Sequence, residues 1–169
     1  MSKPFVAILM GSDSDLPVMQ STIDVLKSFD IAFEVKVTSA HRTPAATHSY
    51  VSDAEKRGCK VFICAAGLAA HLAGAVAGIT TRPIIGVPVD CGPLQGHDAL
   101  LSTVMMPAGV PVATVAIGKA GAKNAAYLAA QILAVADDAL AQRVAEDRAE
   151  NAKAVLAKDA ALQAKLASL

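Results

Sequence analysis

Apolar positions along this chain follow two alternating rhythms. Short unbroken runs, beginning with Phe5-Val6-Ala7-Ile8-Leu9-Met10, are separated by longer stretches in which apolar residues recur at helical spacing. An unbroken run of that kind reads as a strand covered on both faces, and its alternation with helical segments is the pattern of a parallel sheet with helices on both sides. The architecture predicted is α/β. Strands are expected near residues 5–10, 32–38, 60–65, 83–87 and 112–116, and helices near 14–28, 44–57, 69–78, 97–105 and 119–137.

Several junctions have local causes. In the first helix Met19, Ile23 and Leu26 share one stripe with Val25 and Phe29 beside it, which makes one side sheet-facing. Thr43 stands where a helix cap belongs; Pro44 has a preset φ and no N–H to leave unpaired at the first helical position; Gly58 suits the left-handed residue that closes the helix. Residues 139–169 contain neither Gly nor Pro, and they interleave helix formers with charges such as Arg143, Glu146, Asp147, Arg148 and Glu150. They predict a long projecting helix at about 139–167, beyond a core of about 5–138, in a single domain spanning 1–169. Val155, Leu162, Leu166 and Leu169 give that helix an apolar stripe that a five-strand domain has little room to cover. Packing on a neighbouring subunit is the expected use, with a frayed tail as the alternative.

Composition supports one core and an assembly. The 169 residues are 54% hydrophobic and only 18% charged, more apolar than an ordinary monomer requires, so subunit interfaces are expected. Fifteen basic residues balance fifteen acidic ones, which leaves no overall positive field for a nucleic-acid partner. No apolar run approaches the length of a membrane span, and Ser2-Lys3-Pro4 lacks a signal-peptide pattern; a cytoplasmic protein with no membrane partner is expected. Cys59, Cys64 and Cys91 show no Cys-x-x-Cys spacing and read as reduced structural thiols. His41, His48, His71 and His97 have no neighbours at metal-ligand spacing, so no metal site is predicted.

The candidate chemistry lies on loops that leave strands. Ser39-Ala40-His41-Arg42-Thr43-Pro44 follows the strand-like run Phe33–Val37 and places a hydroxyl, an imidazole and a guanidinium side by side. Imidazole is the side chain that gives and takes a proton near neutral pH, and guanidinium offers a planar fork for phosphate oxygens, to which Ser39 can add a hydroxyl. A polar loop histidine and a salt-bridged arginine are the simpler readings. Gly11-Ser12-Asp13-Ser14-Asp15 follows the first strand and opens the first helix, where unpaired N–H groups favour an anion. Asp15 repels phosphate, so its natural partner is a pair of sugar hydroxyls; together the loop suggests a ribose phosphate. Ser and Asp are also ordinary helix caps, and that alternative stands beside the ligand site.

A third loop, Ala65-Ala66-Gly67-Leu68-Ala69-Ala70-His71, is built of small apolar residues that let backbone approach a ligand. In a sheet ordered 2-1-3-4-5 the three loops line one crevice with a narrow, dry floor. His71 is expected within the third helix in a structural hydrogen bond. His48, on the second helix, and His97, near the start of another, are expected to be surface or capping residues.

These loops, with Ala69-Ala70-His71-Leu72, Gly86-Val87-Pro88, Met106-Pro107-x-Gly109-Val110-Pro111-Val112-Ala113-Thr114, Ala116-Ile117-Gly118 and Asn124-Ala125-Ala126, closely resemble the N5-carboxyaminoimidazole ribonucleotide mutase family of purine biosynthesis from about residue 5 to 138. The resemblance implies a flavodoxin-like three-layer sandwich, a homo-octamer whose terminal helix reaches a neighbouring subunit, and an isomerase that needs no metal, ATP or organic cofactor. It implies that His41 is the acid/base, that Ser12, Asp15 and Arg42 contact the ribonucleotide with Ser14 and Ser39 in support, and that Ala66 and Gly67 wall the migrating carboxyl group. Loss of carbon dioxide from the nitrogen requires a proton there, and its capture by the ring carbon requires a proton to leave, so one imidazole can serve both steps. Leu68, Ala73 and Met105 depart from the family pattern, which has glycine, proline and glutamine at these places. The rival readings are a carboxylase that adds carbon dioxide directly to aminoimidazole ribonucleotide, against which Arg42 argues because lysine follows the histidine there, and a non-catalytic nucleotide- or flavin-binding module, which leaves His41 without a task.

Overall fold

The computed structural model describes residues 4–168; Ser2, Lys3 and Leu169 therefore lie outside the described residues. The chain divides into two compact units, Met1–Ala130 and Gln131–Leu169. The first is built on a five-stranded parallel sheet of β1 (Phe5–Met10), β2 (Ala32–Val37), β3 (Cys59–Ala66), β4 (Ile84–Pro88) and β5 (Ala113–Thr114), in the expected order β2-β1-β3-β4-β5. Every residue of β1 is buried, as a continuous apolar run flanked by two strands requires.

Alternation along the strands sends side chains to opposite layers. Phe5, Ala7, Leu9, Phe62 and Cys64 pack with Val51 and Ala54 of α2 (Pro44–Arg57) and with Leu72, Ala73 and Val76 of α3 (Leu72–Ala77). The stripe of α1 (Leu16–Ser28) is buried as its periodicity predicted, with Met19 and Leu26 fully inaccessible. Buried Thr22 donates to the Ala122 carbonyl at 2.7 Å, tying α1 to α5 (Gly118–Ala134) through a stripe of small residues that lets the two backbones approach. Helix α4 (His97–Val104) packs along β4.

Three boundaries and one cap differ from the sequence reading for local reasons. A 3-10 turn, Asp13–Asp15, precedes α1 because Ser12 and Asp15 close a capping box there and Pro17 follows in the first helical turn. Helix α3 begins only at Leu72, since Leu68 at φ 55° breaks any earlier helix; His71 therefore sits at the cap, outside the helix. Strand β5 is two residues long, its last bond running from the Val115 N–H to the Gly86 carbonyl. Beyond it the chain turns into α5, with the Ala116 carbonyl pressed against Gly121 so closely that a Cβ there would lie 1.5 Å from it. Thr43 occupies the cap position of α2, but its hydroxyl bonds the Ser39 backbone instead of the helix N–H groups.

Pro44 opens α2 and Gly58, at φ 106°, closes it, as expected. At the sheet edge Arg57 forks onto Glu34, which also accepts from the Tyr50 hydroxyl at 3.0 Å; the guanidinium lowers the Glu34 carboxyl below its ordinary range. Burial inhibits ionisation of the strand thiols, raising Cys59 to about 11 and Cys64 further still.

In the second unit α6 (Asp138–Leu166) is capped by Asp137, whose carboxylate accepts from the Leu140 N–H at 2.9 Å. Pairs one turn apart, such as Gln142 with Glu146 and Lys153 with Glu150, decorate its surface. Val155, Leu156, Leu162 and Leu166 are all exposed on it. No helix among the described residues is long and apolar enough to cross a membrane.

Candidate active site

The carboxyl ends of β1, β2 and β3 are adjacent, and the loops leaving them enclose a cavity of about 560 Å³. Every residue singled out from sequence lines it: Ser12, Ser14 and Asp15 from the first loop, Ser39, His41 and Arg42 from the second, and Ala66 and Gly67 from the third. The sheet order does this work, because parallel strands present all their following loops at one edge.

The second loop is held by a ladder of threonines. Thr38 donates its N–H to the Met10 carbonyl at 2.9 Å, and its hydroxyl meets that of Thr47 at 2.7 Å in the buried layer beneath. Thr43 accepts from the Ser39 N–H at 2.9 Å and donates to the Ser39 carbonyl at 3.2 Å, while Thr47 donates to the Thr43 carbonyl at 3.1 Å. His41 and Arg42 thus project from a turn whose own polar groups are satisfied. The Ser39 hydroxyl accepts from the Arg42 N–H at 3.1 Å, so its first task is to shape the loop. Among the described residues no carboxylate is ion-paired with the Arg42 guanidinium.

In the first loop the cap reading holds, and the capped residues also line the cavity. Ser12 accepts from the Ser14 N–H at 3.2 Å and the Ser14 hydroxyl at 2.8 Å, and Asp15 Oδ2 accepts from the Ser12 N–H at 3.1 Å, a capping box on the cavity's rim. Asp15 is only 6% exposed; burial raises its pKa, against the opposing pull of the Ser12 N–H.

His71 is the residue that the sequence reading placed wrongly. It lines the same cavity, with its Nδ1 2.8 Å from His41 Nε2 and the two rings edge to face at 4.9 Å. One nitrogen must donate and the other accept, so the contact holds a single shared proton. The available signal was topological: His71 ends the loop after the strand that neighbours β1. Cys91, expected to be only structural, also lines the cavity, beside Gly67. His48 and His97 are exposed and outside it; the His97 ring bonds the Leu94 carbonyl at 3.0 Å. Among the described residues no group of three His, Cys, Asp or Glu is placed to hold a metal.

The arrangement gathers two imidazoles, a guanidinium, a helix-entry loop and a small apolar loop around one cavity. It suits a phosphorylated small molecule whose reacting part is a weakly charged ring. Comparison with known proteins agrees with that chemistry. Residues 5–154 match the AIR carboxylase family. The chain is 53% identical over 161 residues to an N5-carboxyaminoimidazole ribonucleotide mutase of Mycobacterium tuberculosis, covering 95% of this chain and 91% of that protein. It is 52% identical over 151 residues to the protein of the same name from Bacillus subtilis, covering 89% and 93%. A crystal structure of Treponema denticola PurE superposes with a TM-score of 0.84 at 32% identity, covering 93% of this chain and 97% of that one.

Proposed function

The chain belongs to the AIR carboxylase family, and from that premise we propose how its cavity works. The activity is that of an N5-carboxyaminoimidazole ribonucleotide mutase of purine biosynthesis, an isomerase that moves a carboxyl group from the exocyclic nitrogen to the ring carbon. The relatives' shared name does not favour direct carboxylation. The observation that carries the mechanism is the His41–His71 contact of 2.8 Å, set in one cavity with Arg42 and the Ser12 loop.

Arg42 grips the phosphate, with the Ser12, Ser14 and Ser39 hydroxyls beside it. Asp15 keeps Oδ2 on the Ser12 N–H and turns its other oxygen to a ribose hydroxyl. This remote binding holds the ring in place over His41. The N–C bond then breaks with its electron pair left on nitrogen, which takes a proton from the imidazole. Carbon dioxide is released into the cavity, and the ring carbon attacks it. The proton on that carbon returns to the imidazole, restoring both the aromatic ring and the enzyme. His71 holds the His41 ring in position and fixes which nitrogen carries the proton. No outside reactant enters the balance.

Apolar residues on α6 are read as contacts with further copies in a homo-oligomer, an octamer by family resemblance, acting in the cytoplasm on its ribonucleotide. The experiment offers purified protein the N-carboxylated nucleotide in one cuvette, and the uncarboxylated nucleotide with bicarbonate in another. Fast conversion only in the first is the expected result; conversion only in the second selects the direct carboxylase, and binding without conversion selects a non-catalytic module.

A further inference from the structure

We propose that Thr43 is a positioning residue for His41: its hydroxyl clamps the two ends of the turn that carries the imidazole, and so sets the distance at which His41 meets His71. The inference rests on the mutase reading above. Four observations carry it.

The first is a hydroxyl that stands at a helix cap and does not cap. Threonine in that place ordinarily accepts from an N–H of the first helical turn. Thr43, at φ −135° and ψ 50°, makes no such bond, and Pro44 follows it. Its Oγ1 instead accepts from the Ser39 N–H at 2.9 Å and donates to the Ser39 carbonyl at 3.2 Å, beside the Thr43 N–H that donates to the same carbonyl at 2.9 Å. Two of the three hydrogen bonds that join residues 39 and 43 therefore belong to one hydroxyl.

The second is what the clamp encloses. Ala40, His41 and Arg42 form the crest of the turn: Ala40 packs on the core, the Arg42 N–H is held by the Ser39 hydroxyl at 3.1 Å, and the His41 ring reaches out to His71 at 2.8 Å. The third is tolerance. A hydrogen bond of this kind spans about 2.6–3.2 Å, so a backbone shift of half an ångström breaks it, and imidazole on its one-carbon stem cannot follow. The guanidinium of Arg42 sits on a longer, flexible stem and can. The fourth lies beneath the turn, where the Thr38 and Thr47 hydroxyls meet at 2.7 Å and satisfy one another. Thr43 Oγ1 is the acceptor that holds the half-buried Ser39 N–H; without it, water takes that N–H and the two ends stay joined by one backbone bond.

The test measures single-turnover conversion of the N-carboxylated nucleotide and equilibrium binding of the product nucleotide, both per folded protein. Thr43→Val keeps the shape and removes the hydroxyl; turnover is expected to fall by about 10²-fold, the cost of a misplaced reacting group. Affinity should stay within about threefold of wild type, because Arg42 can still reach the phosphate. Thr43→Ser restores the hydroxyl and should return turnover to within about threefold of wild type. Thr22→Val serves as the control: it removes a buried hydroxyl that donates to the Ala122 carbonyl at 2.7 Å between α1 and α5, so it should lower the melting temperature and leave turnover per folded protein unchanged. Wild-type turnover in folded Thr43→Val overturns the proposal, as do a serine variant as slow as the valine one, losses of affinity and turnover that are equal, or a Thr22→Val variant that is just as slow. Should Thr43→Val not fold, Thr43→Ala decides it by the same measures. Wild-type protein that leaves the N-carboxylated nucleotide unconverted overturns the mutase reading itself, and this inference with it.

Discussion

Replacing Asp15 by asparagine separates a structural carboxylate from a binding one. The amide oxygen of asparagine can accept the Ser12 N–H that Oδ2 now takes at 3.1 Å, so the capping box survives. Asp15 has a raised pKa because it is buried. For a group raised on folding, the stability it contributes is complete below the unfolded value, near 3.9, and is lost as pH rises through the higher folded value. Above the folded value the ionised carboxylate is thus a net cost, and Asp15→Asn should there be within about 1 kcal/mol of wild type and on the stabilising side. That advantage should disappear as the pH falls below the folded pKa, where Asp15 becomes neutral. Binding moves the other way. On the proposed binding mode an NH2 group replaces the oxygen turned to the ribose, and losing one hydrogen bond to a charged group costs about 1.5–3 kcal/mol, or roughly 10- to 150-fold in Kd. Urea unfolding between pH 4 and 8, with calorimetric titration of the product nucleotide, reads both quantities. Unchanged affinity refutes the ribose contact, and a large loss of stability refutes the capping argument.

Three further outcomes are expected. His41→Asn should keep ribonucleotide affinity while turnover falls by about 10²–10⁴ or more, measured by single-turnover kinetics with equilibrium binding; undiminished turnover contradicts its proton-transfer role. Arg42→Ala should weaken the phosphorylated ligand by roughly 2–4 kcal/mol and leave a dephosphorylated analogue nearly unaffected; equal losses for both ligands contradict phosphate recognition. Light scattering should find an assembly larger than a monomer at micromolar concentration, because Val155, Leu156, Leu162 and Leu166 are exposed on α6; a stable monomer contradicts that reading.

The sheet was legible because its evidence is local and repeated. Phe5–Met10 is an unbroken apolar run, Cys59–Ala66 is interrupted only by the exposed Lys60, and their parallel pairing follows from alternation with helices. The loop residues were legible for the same reason: strand order alone gathers Ser12, His41 and Gly67 at one edge. What remained hidden depends on side-chain contacts across loops. Nothing near His71 in sequence announces an imidazole 30 residues earlier, and the reading that put it inside a helix failed because Leu68 takes a left-handed backbone where periodicity suggested a turn of helix. Cys91 was invisible as a wall residue, since its role is to fill the space that Gly67 leaves. The dual use of Ser12 and Asp15, as cap and as rim, also follows only from coordinates; the sequence offered the two as alternatives.

The most direct test of the account is a crystal structure with the product ribonucleotide bound. It should place a His41 ring nitrogen within about 2.6–3.2 Å of the heterocycle's amino nitrogen, or at van der Waals contact with the carboxylated carbon, with the phosphate on Arg42 and the Ser12 loop. A nucleotide bound with its base turned away from His41 would contradict the mechanism at its centre.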